Sequence, residues 1–426
     1  MRRLKFQRQS VDLALIGVLI LSMSLLGVLN SPAKAEDFAG EIVTGYNAAL
    51  TGAFAVGAGQ QSSGVKDYWK MNNHCITVGD KSYKVNVKIM DHKSDVSVAV
   101  SNYHHFAAMG AVVVHIAGTP FSVAAKPVAE RTRIPMTVGG FSKKLFVPPS
   151  EYVFLHQPSY PGAVAAEVKW YKENVWKGSG KMRLGMLLWD NAYGRASDED
   201  VLYDYLREDL GIELVPTAFF PTAAKDYTAQ LLKLKSQEVN VIYFQALANQ
   251  YAMFCKDAKR LKVTPKTDLL TTYWSLNENF PRLAGDAGNG AYGMWQYYVA
   301  KEDDNPSNPE VVKIHDAMEK YHGNRYWGIS YFQGWLCQHL QAHMMKLAIK
   351  KYGFPITGEQ VSSAAVDMGP WDWGLSRTFS GYRGGDRLGF HEQRIFQMKQ
   401  GKIRVVSDWV PEPAGFLERA PWVVGK

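Results

Sequence analysis

The chain predicts an α/β fold built on parallel sheets, and three observations carry that prediction. Strand-like and helix-like segments alternate through the first three hundred residues, the pattern of successive βαβ units. Two neighbouring strand-like runs, Val112 to Ile116 and Ile134 to Val138, both end in small, hydroxyl-bearing turns. No low-complexity linker separates the two blocks of alternation, roughly Glu36 to Leu155 and Gly180 to Met294. A hinge of several paired strands would explain that, since it needs no floppy tether.

In chain order, Glu41 to Asn47 reads as a strand, followed by the loop Ala48 to Phe54 and a helix near Gln60 to Asn72. Val85 to Asp91 is the next strand, and Val96 to Met109 a helix with apolar spacing. The β-branched run at Val112 to Ile116 is broken by Gly118. Thr119 and Ser122 mark the start of a helix that runs to about Thr132. After the strand at Ile134 to Val138, Tyr160 to Trp176 carries Val164, Val168, Tyr171 and Val175 at helical spacing, with Pro161 in a first-turn position. Arg183 to Trp189 reads as a buried strand, Asp198 to Leu210 as a helix and Glu213 to Phe219 as a strand. Tyr227 to Gln237 is helical, Val239 to Phe244 a strand, then comes a helix after Asn249 and a strand at Asp268 to Tyr273. After Lys301 the pattern changes to a long helix, Tyr326 to Lys350, and a Gly- and Trp-rich stretch, Met368 to Gly385. Two strand-like runs, Gln393 to Lys399 and Ile403 to Trp409, follow.

The ends and the composition narrow the class. Arg2, Arg3, Lys5 and Arg8 precede an apolar run from Leu13 to Leu29, and Ala33-Lys34-Ala35 has the small-x-small form of a cleavage site. Residues 1–35 are therefore expected to be a signal peptide, with a periplasmic mature chain starting at Glu36. The apolar run is shorter than the ~20 residues of a membrane span, and no cysteine offers a lipid anchor. The formal charge of +8 loses five basic residues and one acid with the leader, leaving 43 against 39, or +4. That balance, with no basic tail or stripe, gives no support for a nucleic-acid partner. Cys75, Cys255 and Cys337 allow one disulfide and a free thiol, or three buried thiols.

The two polar turns lie at one edge of the predicted sheet, where open α/β folds bind ligands. Hydroxyls and free helix N-terminal amides suit a carboxylate or a carbonyl there. No nucleophile or base stands nearby, and the sequence holds no Gly-x-Ser-x-Gly elbow, phosphate loop or His-Glu-x-x-His. On the long helix His339 and His343 stand four apart, a spacing that can chelate, beside Cys337. His343 also falls on the apolar stripe Phe332, Leu336, Leu340 and Leu347, and sequence places no third ligand, so a packed histidine is the plainer reading. Neither a metal nor a cofactor is expected.

Several stretches taken together are diagnostic. They are Leu50-Thr51-Gly52, Gly118 to Ser122 with Pro127-Val128-Ala129-Glu130, Ile134-Pro135 and Trp189-Asp190-Asn191-Ala192-Tyr193-Gly194. Lys225-Asp226-Tyr227, Leu231 to Lys235, Phe379-Ser380-Gly381, Gly389-Phe390 and Gln397-Met398-Lys399 continue the register. Their order resembles the type I periplasmic solute-binding proteins, in particular the branched-chain amino acid and amide group, over nearly the whole mature chain. The resemblance implies two Rossmann-like lobes on a multi-strand hinge, residues 36–156 plus 297–392 and residues 157–296 plus 393–426. They would close over a small solute and present it, as a monomer, to an ABC permease in the inner membrane.

Carried over by position, the resemblance puts Thr119 and Ser142 on the solute carboxylate, with Ser122 in the same turn and Gly140 offering backbone. Ordinary capping by Ser122 and turn-making by Ser142 remain the alternative. Tyr193 takes the second-lobe contact, offering a flat face and a hydroxyl, and Phe54 packs on the solute's apolar end. The departure comes at Thr271-Thr272-Tyr273-Trp274-Ser275. Amino acid binders of this group present a carboxylate about here, and this chain has no acid until Glu278. A desolvated ammonium without an anion costs several kcal/mol. The sequence therefore points to an acid, amide or aromatic solute, with Tyr273 and Trp274 against its uncharged part. A branched-chain amino acid with Asp190 supplying the missing charge is the second reading. A sensing module that shows its closed form to a receptor, and an amide hydrolase, are the rivals from other classes.

Overall fold

The structure, a computed structural model, describes residues 38–178, 180–264, 266–298, 308–323 and 328–423. The leader expected over residues 1–35, with its cleavage site and Glu36, lies outside them. The unit that begins at Gly40 contains three sheets. The first holds β1 (Glu41–Ala48), β2 (Cys75–Val78), β3 (Lys81–Asp91), β4 (Ala111–Ile116), β5 (Met136–Val138) and β6 (Val153–Leu155), in the order β2-β3-β1-β4-β5-β6. Every pair in it is parallel except β2 with β3. The second holds β7 (Arg183–Trp189), β8 (Glu213–Leu214), β9 (Ala218–Phe220), β10 (Val241–Gln245) and β11 (Asp268–Thr271), all parallel, with β7 and β10 at its centre. The third is an antiparallel ribbon of β12 (Tyr292–Trp295), β13 (Glu392–Lys399) and β14 (Lys402–Pro411).

Burial explains the strand sequences. All six residues of β4 and all five of β10 are buried, as continuous apolar runs between two helical layers should be. Four local expectations are corrected. The strand expected over Glu213 to Phe219 is two short strands against β7, because Pro216 in the gap has no N–H to give a ladder. The helix expected over Asp198 to Leu210 begins at Asp200, after a 3-10 turn over Gly194–Ser197, and its last turn, Tyr205–Asp209, is a wide π turn. A hairpin precedes Val85, because Gly79, at φ 63°, turns β2 into β3. Ser122 does not cap the helix Thr119–Thr132. Gly118 occupies the N-cap, and the Ser122 hydroxyl donates back to its carbonyl over 3.0 Å. A helix at Pro309–His322 goes unread in the sequence, although Asn308 caps it by accepting from the Glu310 amide and Pro309 opens it.

Cys75, Cys255 and Cys337 form no disulfide with one another, and the last two are buried. His339 and His343 stack on the same Trp371 indole, at 4.9 and 3.8 Å between ring centroids, so packing explains both. Among the described residues no three side chains gather as a metal site, and no helix is long and apolar enough to cross a membrane.

The chain passes three times between the surroundings of the first sheet and those of the other two: after β6, after β12 and before β13. These connections are tied to one another. His156 Nδ1 lies 3.0 Å from the Tyr297 hydroxyl, and Gln296 Nε2 donates to Gln157 Oε1 over 3.1 Å. At the third connection His391 is held between Glu412, which follows β14, and Asp386, 2.6 Å from Nε2. Ser159 donates to Glu412 over 2.9 Å and also caps the helix Tyr160–Asn174 by accepting from the Gly162 amide. Burial opposes charge on His391, but Glu412 and Asp386 outweigh it and push the imidazole up to about 10. A folded pKa above the unfolded value near 6.5 contributes stability that is complete below that value and lost as pH rises through about 10. His391→Gln should cost about 3–5 kcal/mol at pH 7, because it leaves two facing carboxylates. It should also abolish the fall in thermal midpoint that the native chain shows between pH 7 and 10. A native midpoint flat over that range would refute the clamp.

Candidate functional site

The parallel register of β4 with β5 aligns Ile116 with Val138, so Ala117-Gly118-Thr119 and Gly139-Gly140 leave the sheet side by side. The loop after β1 folds over them. Asp91, at the end of β3, accepts from the Leu50 amide over 2.9 Å and the Thr51 hydroxyl over 2.7 Å, and the Phe54 amide donates to Ser94 Oγ over 3.0 Å. Burial works against ionising Asp91, but those donors and the Lys93 amide outweigh it and hold the carboxylate below its usual range. The anchored loop carries Phe54 into a stack on Trp189, at the end of β7, with 5.0 Å between centroids and 20° between planes.

Under that stack lies a small cavity lined by twelve residues. The first sheet and its helices contribute Ala49, Phe54, Val56, Gln61, Ala117, Gly118, Thr119 and Gly139. Tyr160, Tyr193, Leu247 and Trp274 close the other side. None of the twelve is charged. Burial pushes the Tyr160 and Tyr193 phenols above their usual range, so both stay neutral.

Of the residues singled out from sequence, Phe54, Thr119, Tyr193 and Trp274 line this cavity. Gly140 stands behind Thr119, where a Cβ would collide with Thr119 Oγ1. Tyr193 presents its ring, while its hydroxyl donates to the Ala246 carbonyl over 3.0 Å and meets Thr272 Oγ1 at 2.8 Å. Four others lie off the lining. Ser122 is committed to the Gly118 carbonyl. Ser142 opens the short helix Lys143–Phe146 without a side-chain cap bond. Asp190 is half exposed and pairs with Arg195 Nε over 2.7 Å. Tyr273 is buried behind Trp274 and donates to the Tyr160 hydroxyl over 3.4 Å. Glu278, the next acid along, faces the N-terminus of the helix Ile329–Tyr352, where the Ser330 amide donates to it over 3.5 Å. Burial raises its carboxyl above the usual range.

Sequence reasoning missed Gln61 and Tyr160. Gln61 looked like one more polar position on an amphipathic helix. Tyr160 was read only as the start of a helix, and its position just after a strand end was the available signal.

Gly140→Ala should lower the ligand-free unfolding midpoint by about 1–3 kcal/mol equivalent, because the new methyl must push aside Thr119 and the helix start. Gly59→Ala, on a helix with nothing within 4 Å of the added atom, should be neutral or stabilising. Equal midpoints for the two variants would show that the turn is not tightly packed.

Residues 41–402 match the periplasmic binding protein family. Solved structures share the fold. A branched-chain amino acid ABC transporter protein from Thermus thermophilus, with bound valine, superposes with a TM-score of 0.78 at 21% identity, over 89% of this chain and 98% of that one. A fatty acid ABC transporter substrate-binding protein from Thermomonospora curvata gives 0.76 at 19% identity, over 90% and 95%. A leucine binding protein from Thermotoga maritima gives 0.69 at 16% identity, over 87% and 99%.

Proposed function

The chain belongs to the periplasmic binding protein family, and on that premise we propose that it is the exported solute-binding subunit of an ABC importer, taking a small organic acid, amide or aromatic compound rather than a branched-chain amino acid. The observation that carries the solute class is the uncharged lining of the cleft. Neutral hydroxyls and helix amides can hold a carboxylate or carbonyl. An ammonium, in contrast, needs an anion once desolvated. Of the acids weighed from the sequence, Asp190 is used by Arg195 and Glu278 by a helix end. Relatives of this fold are named for valine and for fatty acid, so the fold alone is neutral on this point.

The reading extends to the lobes and the compartment. Residues 36–156 with 297–392 form one lobe, residues 157–296 with 393–426 the other, and the leader exports the chain to the periplasm. The three tied connections support that division. The Phe54–Trp189 stack and an ion pair of 3.2 Å between Lys143 and Glu199 then join the lobes across the cleft. Closure over a solute that touches both sides favours the form a permease would read. No residue in the cleft is assigned a catalytic step.

A thermal-shift and calorimetric panel of benzoate, benzamide, aliphatic carboxylates, leucine, isoleucine and valine tests the class. A bound member at a hundred times its dissociation constant should add ~2.7 kcal/mol of stability. Carboxylates or amides should give that shift and the three amino acids should not. Micromolar binding of any branched-chain amino acid would overturn the reading.

A further inference from the structure

Two helices beside the cleft begin at one point with no cap of their own. The helices Ala58–Met71 and Ile329–Tyr352 run parallel, because contacts climb both together. Gln61 Nε2 donates to Gln333 Oε1 over 3.2 Å, and farther along Trp69 Nε1 donates to Gln338 Oε1 over 2.7 Å. Gly64 and Gly334 allow the close approach, since a Cβ on either would collide with the other helix's backbone. The N-caps are Gly57 and Gly328, neither of which makes a side-chain cap bond, and neither first turn contains an acid. The two starts touch: a Cβ at Gly57 would lie 2.5 Å from Ser330 Oγ. Parallel helices that open side by side bring two positive ends together, each equivalent to roughly half an elementary charge. A capping side chain or a first-turn acid ordinarily meets such ends.

Here the acid comes from across the cleft. Glu278 stands in the turn after β11, and its Oε2 accepts from the Ser330 amide over 3.5 Å. Its Oε1 lies 4.0 Å from where a Cβ of Gly57 would be. Burial raises its carboxyl, and bonds from the Ser330 hydroxyl and amide oppose that shift. The same turn carries Trp274 into the cavity wall. Asn277 braces it, donating to the Trp274 carbonyl over 3.3 Å and accepting from the Asn279 amide over 2.9 Å. Asn279 Nδ2 in turn donates to Glu278 Oε1 over 3.4 Å. On the facing wall, Val56 and Gln61 flank the first helix start and line the same cavity.

We propose that Glu278 is a positioning residue for solute binding: its carboxylate caps both helix starts from the opposite side and so holds the Trp274 wall against the wall of Val56 and Gln61. Glu278 is not part of the cavity lining, so it acts through the turn it shares with Trp274. The proposal rests on the cleft being the solute site, and it goes beyond that reading by naming the contact that keeps the two walls together.

The test compares the full mature chain with Glu278→Gln and Glu278→Lys. Without solute, small-angle scattering should give Glu278→Lys a larger radius of gyration than the native chain, because an ammonium at two positive helix ends drives the walls apart. Glu278→Gln should fall between them. Equal radii would overturn the proposal, and if the lysine variant fails to fold, the glutamine variant decides by the same comparison. Benzoate and benzamide are the binding probes. Glu278→Gln should weaken whichever binds by roughly threefold to thirtyfold, the loss expected of a helix cap. That loss should come from faster dissociation, with association unchanged, since every group lining the cavity is intact. A native dissociation rate with only the unfolding midpoint lowered would show a purely structural role and overturn the assignment. Failure of both probes to bind the native chain would count against the solute class proposed for the cleft, and the scattering comparison would then judge Glu278 alone.

Discussion

One close approach shapes the cleft: Gly140 against the start of the helix Thr119–Thr132. A Cβ at Gly140 would meet Thr119 Oγ1, the Thr119 amide at 3.2 Å and the Tyr160 hydroxyl at 3.3 Å. Glycine is required here by space, not by backbone angle. Because the side chain is missing, two strand ends, a helix start and a phenol from the opposite wall can share one small volume. The parallel β4–β5 register brings those strand ends level. The buried apolar runs of β4 and β5 keep the register from slipping, since a slip of one residue would turn every side chain to the other face.

The walls around that point are held from outside the cavity. Asp91 pins the loop that carries Phe54, and Phe54 stacks on Trp189 at the end of β7. Charged groups are engaged outside the lining: Asp190 with Arg195, Lys143 with Glu199 and Glu278 at a helix end. The lining itself is left without charge, and neutral hydrogen bonds there act in a lower dielectric than in water.

Much of this was legible in the sequence. The alternating pattern announced the parallel sheets, and Gly118-Thr119 with Gly139-Gly140 marked the two strand ends that meet at the cavity. Thr119, Tyr193, Phe54 and Trp274 line the cavity because each sits at or just past a strand end, a position that pattern reading locates well. The misses share a different cause. Ser142, Asp190 and Tyr273 are also at strand or turn ends, but whether such a residue faces the cavity depends on a rotation of one residue, and sequence spacing does not resolve that. Gln61 and Gln157 were invisible because a glutamine on a helix or connection reads as surface. Only the packing of the helix Ile329–Tyr352 across the first sheet turns them inward, where Gln333 joins them.

That buried row of amides orders the cleft from behind without charge. The Tyr46 hydroxyl donates to Gln61, Gln61 to Gln333 and Gln333 to Gln157, while Trp274 and Tyr273 donate to Tyr160. Phe54, Tyr193 and Trp274 give the cavity its aromatic walls. Thr119 and the Tyr160 hydroxyl meet at Gly140, so that glycine sets how closely the two walls approach.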